Sequence, residues 1–392
     1  MEQDCREVFE RDSQSRSGED MRIAILSCMD FKIPGGAERF FIDMARALDA
    51  TIVCLSVSDD LRTMYPDAEQ VSFFPLHKTL PDEPLRQIAG MRLFKKLSLD
   101  YDFYIATDDM SLRFLSEKIP HAYMMLTPRR ALYDMYYPTL ASKPVGKRQL
   151  FMIILCFFRF LDRRFVKKHV RCIAGISHTV RTRIWKAYQK PATVIYPPIH
   201  LEKYQNLGYD DYWLSVSRID KWKRIDLQIA AFRLLPDKKL VIAGKIYPEF
   251  EHLVHGAPQN VTFLGPVPDE ELLTLYGRCR GFLTTAIDED YGLTPLEAMA
   301  CEKAVVAVCE GGYQETVAHG YTGFLVAPHA ADIAKAIRNV DTDPSRFGHE
   351  ARKRAELFDY KIFKEQIKMY VHTCFEEYTS EKDQGSMGST TE

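Results

Sequence analysis

Strand-sized apolar runs separated by helix-length amphipathic stretches dominate this chain, and the pattern runs through twice. The first pass comprises RIAILS (22–27), TIVCLS (51–56), QVSFF (70–74), DFYIAT (102–107), HAYMML (121–126) and RCIAGIS (171–177). After the first run, KIPGG leads into a stretch whose Phe40, Phe41, Met44, Ala47 and Leu48 share one helical face. The second pass comprises YWLSVS (212–217), KLVIAG (239–244), VTFLG (261–265), GFLTTA (281–286), AVVAVC (304–309) and GFLVAP (323–328), with helical patterns at 226–235 and 269–279. Near-continuous apolar strands alternating with helices belong in parallel sheets covered on both faces. The prediction is therefore an α/β protein of two doubly wound, Rossmann-like domains facing across a cleft. The prolines, glycine and polar residues of YPPIHLEKYQNLGYDD (196–211) break the periodicity. The expected division is an N-terminal domain at 21–205 and a C-terminal domain at 206–360. A closing helix at 361–378 follows, its return to the N-terminal domain left open, and a polar tail at 379–392. Residues 1–20 are polar and acid-rich with no apolar core, so they read as a disordered leader and not as a signal peptide.

Composition narrows the function classes. With 392 residues, 46% of them hydrophobic, the chain can fill two full cores. The net charge is −2, so no global field attracts nucleic acid. Nine cysteines form no CxxC pair, and their odd number fits a reduced, cytoplasmic setting.

The charge is not evenly spread. Between Lys143 and Lys190 there are thirteen Lys or Arg residues against one acid, Asp162, so this segment carries +12. It encloses the apolar run LFMIILCFF (150–158), which Arg159 ends far short of the roughly 20 residues a bilayer span needs. Two readings stay open: a core helix with a solvated basic margin, or a surface resting on an anionic leaflet. The second would seat the protein peripherally on the inner face of the cell membrane.

The loops after the strands are where chemistry is expected, because open α/β sheets bind ligands at the strands' carboxyl ends. No G-x-G-x-x-G follows a predicted strand and no P-loop motif occurs, which argues against dinucleotide redox chemistry and P-loop phosphoryl transfer. No HExxH or EF-hand loop supports a metal site. After the strand at 212–217 comes Ser217-Arg218-Ile219-Asp220-Lys221-Trp222-Lys223-Arg224, four cations within seven residues. Arginine forks and lysine point charges suit a phosphate ligand, and a solvent-exposed basic loop is the plain alternative. After the strand at 281–286, Asp288-Glu289-Asp290 places three acids in a row before Tyr291-Gly292. Such a cluster suits hydrogen bonds from a polyhydroxylated ligand. Further on, Thr294 is expected to cap a helix opened by Pro295, and Glu297 three residues later completes a capping box. Paired glycines at Gly35-Gly36 and Gly311-Gly312 would let backbone N–H groups approach a ligand, although tight turns use such pairs routinely.

Together, the Gly35-Gly36 loop, Arg218 with Lys223, the Glu289-x7-Glu297 spacing and the Gly311-Gly312 turn resemble the signature of glycosyltransferase family 4, with its GT-B fold. TPRRALYD (127–134), AGISHTVRTRI (174–184), YPPI (196–199) and TGFLV (322–326) follow in the order that family shows. The resemblance covers roughly 21–375.

It implies a retaining, metal-independent hexosyltransferase with no cofactor beyond its nucleotide-sugar donor. Arg218 and Lys223 would neutralise the departing diphosphate, and Glu289 would face the donor sugar. Glu297 would meet the ribose. Asp290, Tyr291, Gly292, Leu293 and Thr294 would line the donor, with Ser217 and Gly244 beside them. Gly35 and Gly36 would let the first domain close over the diphosphate. Thr127, Arg130 and Asp134 would contact acceptor or donor.

Two departures stand out. Leu126 precedes Thr127-Pro128 where many relatives carry histidine, and Arg224 replaces a glycine after the diphosphate lysine. The Glu289-Asp290-Tyr291-Gly292 form and the TPRR segment look most like mannosyltransferases of polysaccharide and lipid-linked oligosaccharide assembly. GDP-mannose is then the expected donor, and the acceptor a hydroxyl of a glycan or lipid-linked glycan. A non-catalytic nucleotide-sugar or glycan-binding subunit and a nucleotide-sugar epimerase remain the rival readings.

Overall fold

The computed structural model describes residues 21–31, 35–76, 100–115 and 119–387. The expected leader at 1–20 and the last five residues of the expected tail lie outside these. The first sheet contains β1 (Ile23–Phe31), β2 (Thr51–Val57), β3 (Ser72–Pro75), β4 (Phe103–Ala106), β5 (His121–Met125), β6 (Cys172–Gly175) and β7 (Thr193–Val194). Its strand order is β3-β2-β1-β4-β5-β6-β7. The second contains β8 (Trp213–Val216), β9 (Leu240–Ala243), β10 (Val261–Gly265), β11 (Gly281–Thr284), β12 (Val305–Val308) and β13 (Gly323–Val326), ordered β10-β9-β8-β11-β12-β13. Every ladder is parallel. In each sheet the strand order reverses once, beside β1 in the first and beside β8 in the second, and such switch points are where open sheets bind ligands.

The helices that position the site are α1 (Gly36–Leu48), α2 (Val145–His169), α3 (His178–Tyr188), α4 (Ile225–Arg233), α5 (Asp269–Arg278), α6 (Leu293–Ala300), α7 (Ala330–Asp341), α8 (Gly348–Glu356) and α9 (Tyr360–Met387). On α1, the face of Phe40, Phe41, Met44, Ala47 and Leu48 is buried against the sheet, as its spacing requires. Strands β4, β5, β6, β11 and β12 are buried at every residue, which accounts for their largely apolar character.

The chain crosses between domains at 195–205 and again near 358–360. The two crossings are tied together: the Ile199 amide donates to Phe358 at 2.9 Å, and the Tyr360 amide to Ile199 at 3.0 Å. Helix α9 then packs on the first domain, with Phe363 against Phe40 (5.7 Å between ring centroids) and Phe375 against Phe103 (6.4 Å). It runs to Met387, past the end expected at 378, so part of the expected tail is helical.

Candidate active site between the two domains

The basic loop leaves the central strand of the second sheet. The Ser217 amide donates to Ala243 at 3.0 Å and the Ile219 amide to Lys245 at 2.8 Å, so the exits of β8 and β9 run side by side. Gly244 sits there at φ +143°, and a Cβ on it would lie 2.0 Å from the Ser217 carbonyl oxygen. Only glycine fits. The Ser217 hydroxyl is buried and has no hydrogen-bond partner among the described residues. Arg218 is exposed beside it. Thr285 holds the rest of the loop, donating its hydroxyl to the carbonyls of Lys223 (2.8 Å) and Arg224 (3.1 Å).

That clamp brings the basic loop to the acidic one. Lys223 Nζ lies 2.6 Å from Glu289 Oε2, both side chains about three-quarters buried. Arg224, the residue in the glycine position of the family pattern, is left-handed at φ 47° and pairs with Glu310 at 3.0 Å. Gly311 and Gly312 prove to be packing glycines. A Cβ on Gly311 would lie 2.2 Å from the Glu289 carbonyl, and one on Gly312 would lie 2.5 Å from Tyr291 Cα. The Gly312 amide donates to the Glu289 carbonyl at 2.7 Å, which fixes the backbone that carries the carboxylate.

The expected capping box does not form. Helix α6 begins at Leu293, two residues ahead of Pro295, with Gly292 as its N-cap at φ +96° and no side-chain cap. The physical reason is Tyr313: its ring lies 2.7 Å from where a Gly292 Cβ would be, so glycine admits the ring and turns the chain early. Pro295 is then in the first turn, where its missing N–H is not needed. Thr294 is a first-turn residue, and the Glu297 carboxylate accepts the Tyr276 hydroxyl at 2.7 Å.

Glu297 and Leu293 line a cavity between the domains that also touches Arg39, Tyr65, Tyr204 and Tyr276. Burial, with the Glu297 charge adding, pushes the Tyr276 phenol far above its usual range. Burial would lower the Arg39 guanidinium, but Asp269 and Glu297 together hold it above its usual value. Arg39 reaches across to Asp269 at 2.7 Å. Gly36 sits beside Leu293, where an added Cβ would be 3.6 Å from the leucine side chain, and the Gly35 amide donates to Glu38 at 3.1 Å.

The acceptor-side candidates meet the acidic loop directly. Arg130 donates to Asp134 at 2.9 Å and to Asp288 at 3.2 Å. Thr127 accepts from Arg183 at 3.2 Å. Arg183, itself buried, also pairs with the Asp290 carboxylate, and with Asp288 at 2.9 Å. The Asp290 carboxylate is thus engaged by the first domain. Burial raises its proton affinity, and Arg183 and Arg130 pull the other way. Tyr291 is buried, stacked on Tyr196 at 5.5 Å, and donates to the Pro197 carbonyl at 3.1 Å.

Two residues to which the sequence reading gave no role complete the interface. Arg183 lies within AGISHTVRTRI and among the thirteen cations of the basic stretch, where nothing in its spacing singles it out. Glu315, just past the Gly311-Gly312 turn, accepts the amides of His178 (2.7 Å) and Thr179 (2.6 Å) at the start of α3.

Residues 200–357 match the family of glycosyl transferases group 1. The alpha-1,3/1,6-mannosyltransferase ALG2 of Dictyostelium discoideum is 24% identical over 90% of this chain and 98% of its own length. That of Homo sapiens is 33% identical over 156 residues, 38% of this chain and 37% of the relative. Among solved structures, sucrose-phosphate synthase from Thermosynechococcus elongatus has a TM-score of 0.73 at 18% identity, covering 91% of this chain and 99% of that one. Anabaena Alr3699/HepE, in complex with UDP and glucose, has a TM-score of 0.70 at 19% identity, covering 90% and 99%. The two facing parallel sheets are a GT-B fold. The second domain thus matches the group 1 glycosyltransferases, and the chain as a whole is similar to mannosyltransferases of that kind.

Proposed function

We propose that this protein transfers mannose from GDP-mannose, with retention of anomeric configuration, to a hydroxyl of a glycan or lipid-linked glycan. The observation that carries the reading is the meeting of Lys223 with Glu289 at 2.6 Å, on the loop that also carries Arg218, at the point where the strand order of the second sheet reverses. In the reaction, the bond from sugar C1 to the diphosphate oxygen breaks and a bond from C1 to the acceptor oxygen forms. The acceptor's proton ends on the released nucleoside diphosphate or on solvent. Arg218 and Lys223 stabilise the charge that develops on the diphosphate, the role a divalent metal serves in other transferases. The Ser217 hydroxyl, without a partner among the described residues, offers a further hydrogen bond at the same strand end. Glu289, held by Lys223 and by the Gly312 amide, faces the sugar, and Glu297 meets the ribose.

The mannosyl assignment draws on the named ALG2 relatives and on the Glu289-Asp290-Tyr291-Gly292 form. The Anabaena neighbour binds UDP-glucose, so donor choice is the point to test. Thermal shift and release of nucleoside diphosphate should be measured across GDP-mannose, UDP-glucose and ADP-glucose, in wild type and Glu289→Ala. GDP-mannose is expected to stabilise the chain most and to be turned over only by wild type. Stabilisation by UDP-glucose alone would overturn the donor. Equal background release in both proteins would overturn catalysis in favour of a binding subunit.

A further inference from the structure

Helix α2 turns only a narrow stripe toward the protein. Of its 25 residues, Asp162 and Val166 alone are buried. Asp162 accepts the hydroxyls of Tyr133 (2.6 Å) and Tyr188 (2.9 Å), and Arg159 donates to the Leu132 carbonyl at 2.6 Å. These contacts fix which side faces inward. On the other side, Leu150, Ile153, Phe157 and Phe160 stand 58–64% exposed. Their spacing of three, four and three residues stacks them on one face. The apolar run is therefore not a core helix. A monomer rarely leaves a continuous apolar surface of this kind without use for it.

Charge identifies what the surface meets. Exposed Lys147 lies on the N-terminal side of the apolar face, and Arg164, Lys167 and Lys168 on its C-terminal side, while Arg148 turns away and donates to the carbonyls of Ala141 and Lys143 at 3.0 Å. The helix's single acid is the buried Asp162, turned away from that face. A second copy of the helix, parallel or antiparallel, would bring cations against cations at both ends. An anionic surface instead satisfies both ends and the middle at once. No helix among the described residues is long and apolar enough to cross a membrane, so the geometry is one of lying flat.

We propose that α2 is a docking surface for an anionic lipid bilayer, with Ile153, Phe157 and Phe160 inserted at the headgroup boundary and the flanking cations on the lipid phosphates. The helix would present about 38 Å of its length to the membrane, at 1.5 Å per residue. The inference stands on burial and charge and does not depend on the donor chemistry.

The test is flotation of the full chain with vesicles of phosphatidylcholine alone and of phosphatidylcholine with phosphatidylserine, at low and physiological salt. Wild type is expected to float with the anionic vesicles, less so as salt rises, and to leave the neutral ones. Phe157→Ser with Phe160→Ser should lower the partition coefficient about tenfold or more. Lys167→Ser with Lys168→Ser should lower it about fivefold per cation removed. Both pairs should melt at the wild-type temperature, since all four side chains are outside the core. No flotation, equal flotation with both vesicle types, or indifference to both variant pairs would overturn the proposal. So would a dimer in light scattering that the phenylalanine pair dissociates, which would make a second copy the occupant.

Discussion

The Glu315 carboxylate accepts the backbone amide of Thr179 at 2.6 Å, so a side chain of the second domain caps a helix of the first. The same carboxylate takes the His178 amide and the Thr179 and Tyr196 hydroxyls. A carboxylate suits a helix N-terminus because the unpaired amides there carry partial positive charge. Ser177 caps the same helix locally through the Val180 amide, and its hydroxyl also reaches the Asp290 carbonyl at 2.5 Å. The start of α3 is thus shared between the domains. Glu315→Ala should destabilise the chain by about 1–2 kcal/mol, measured by urea unfolding. Because the lost bonds lie between domains, it should also accelerate proteolysis at the 195–205 crossing.

Arg183 is the second tie. Its side chain is 8% exposed while that of Asp290 is 27% exposed. Removing one member of a buried pair leaves a charge without a partner, commonly at 3–5 kcal/mol. The partial exposure of Asp290 puts Arg183→Ala near the low end, about 3 kcal/mol. Arg183→Met combined with Asp290→Asn should be more stable than Arg183→Met alone, because the stranded charge goes with its partner. Thermal denaturation of the two variants, with wild type alongside, checks the order.

Lys223 and Glu289 touch each other but serve different partners in the proposed reaction, and ligand binding separates the roles. Lys223→Met should lower turnover by about 10²- to 10³-fold and abolish the thermal shift produced by GDP alone. Glu289→Gln should lower turnover comparably yet leave the GDP shift intact, because GDP lacks the sugar. Each should lower stability by about 1–2 kcal/mol, since the partner left behind is only about a quarter exposed. Turnover of wild type should persist in a metal chelator, with Arg218 and Lys223 supplying the positive charge.

Arg224 occupies a backbone conformation that costs a non-glycine residue about 1–2 kcal/mol. Its pair with Glu310, both side chains about three-quarters buried, contributes on the order of 1 kcal/mol in return. Arg224→Gly relieves the strain, loses the pair and adds about 0.5–1 kcal/mol of unfolded-state entropy, so it should match wild type within about 1 kcal/mol. Arg224→Ala loses the pair and keeps the strain. The order of melting temperatures should be glycine above alanine.

The twelve apolar runs all became strands, and at β4, β5, β6, β11 and β12 cover on both faces leaves no polar side to blur the pattern. Strand β7, two residues long at the sheet edge, has too little sequence to show a period. In the site, Arg218, Lys223 and Glu289 were legible because each follows a strand directly and the strand ends gather at one edge. Arg183 and Glu315 were not, because their partners lie 107 and 136 residues away in the chain and only the packing of the two domains brings them together. Thr294 was misplaced because a helix start chosen by Gly292 depends on Tyr313, which local capping patterns do not contain. The composition of the apolar run at 150–158 fits a core helix and a surface helix equally, and its placement at the surface decides between them.

His121 ties α9 to the first sheet. Its ring is buried on β5, with Nδ1 2.7 Å from the Ile119 carbonyl and 3.2 Å from the Tyr378 hydroxyl. Nε2 has no hydrogen-bond partner among the described residues. Burial lowers the proton affinity of the imidazole, with nearby His169 and Arg171 adding to the effect. A histidine depressed in the folded state takes up more protons when unfolded, so below its ordinary value near 6.5 the unfolded state gains and stability falls as pH falls. The loss begins as pH drops through about 6.5 and levels off only below the depressed folded value. His121→Gln keeps a hydrogen-bonding side chain of similar size but does not titrate. Wild type should therefore lose melting temperature from pH 7 to pH 5.5 more steeply than His121→Gln. Hydrogen exchange in α9 should rise over the same interval in wild type only, because protonation places a charge between β5 and Tyr378. Equal slopes for the two proteins would show that another group governs acid stability.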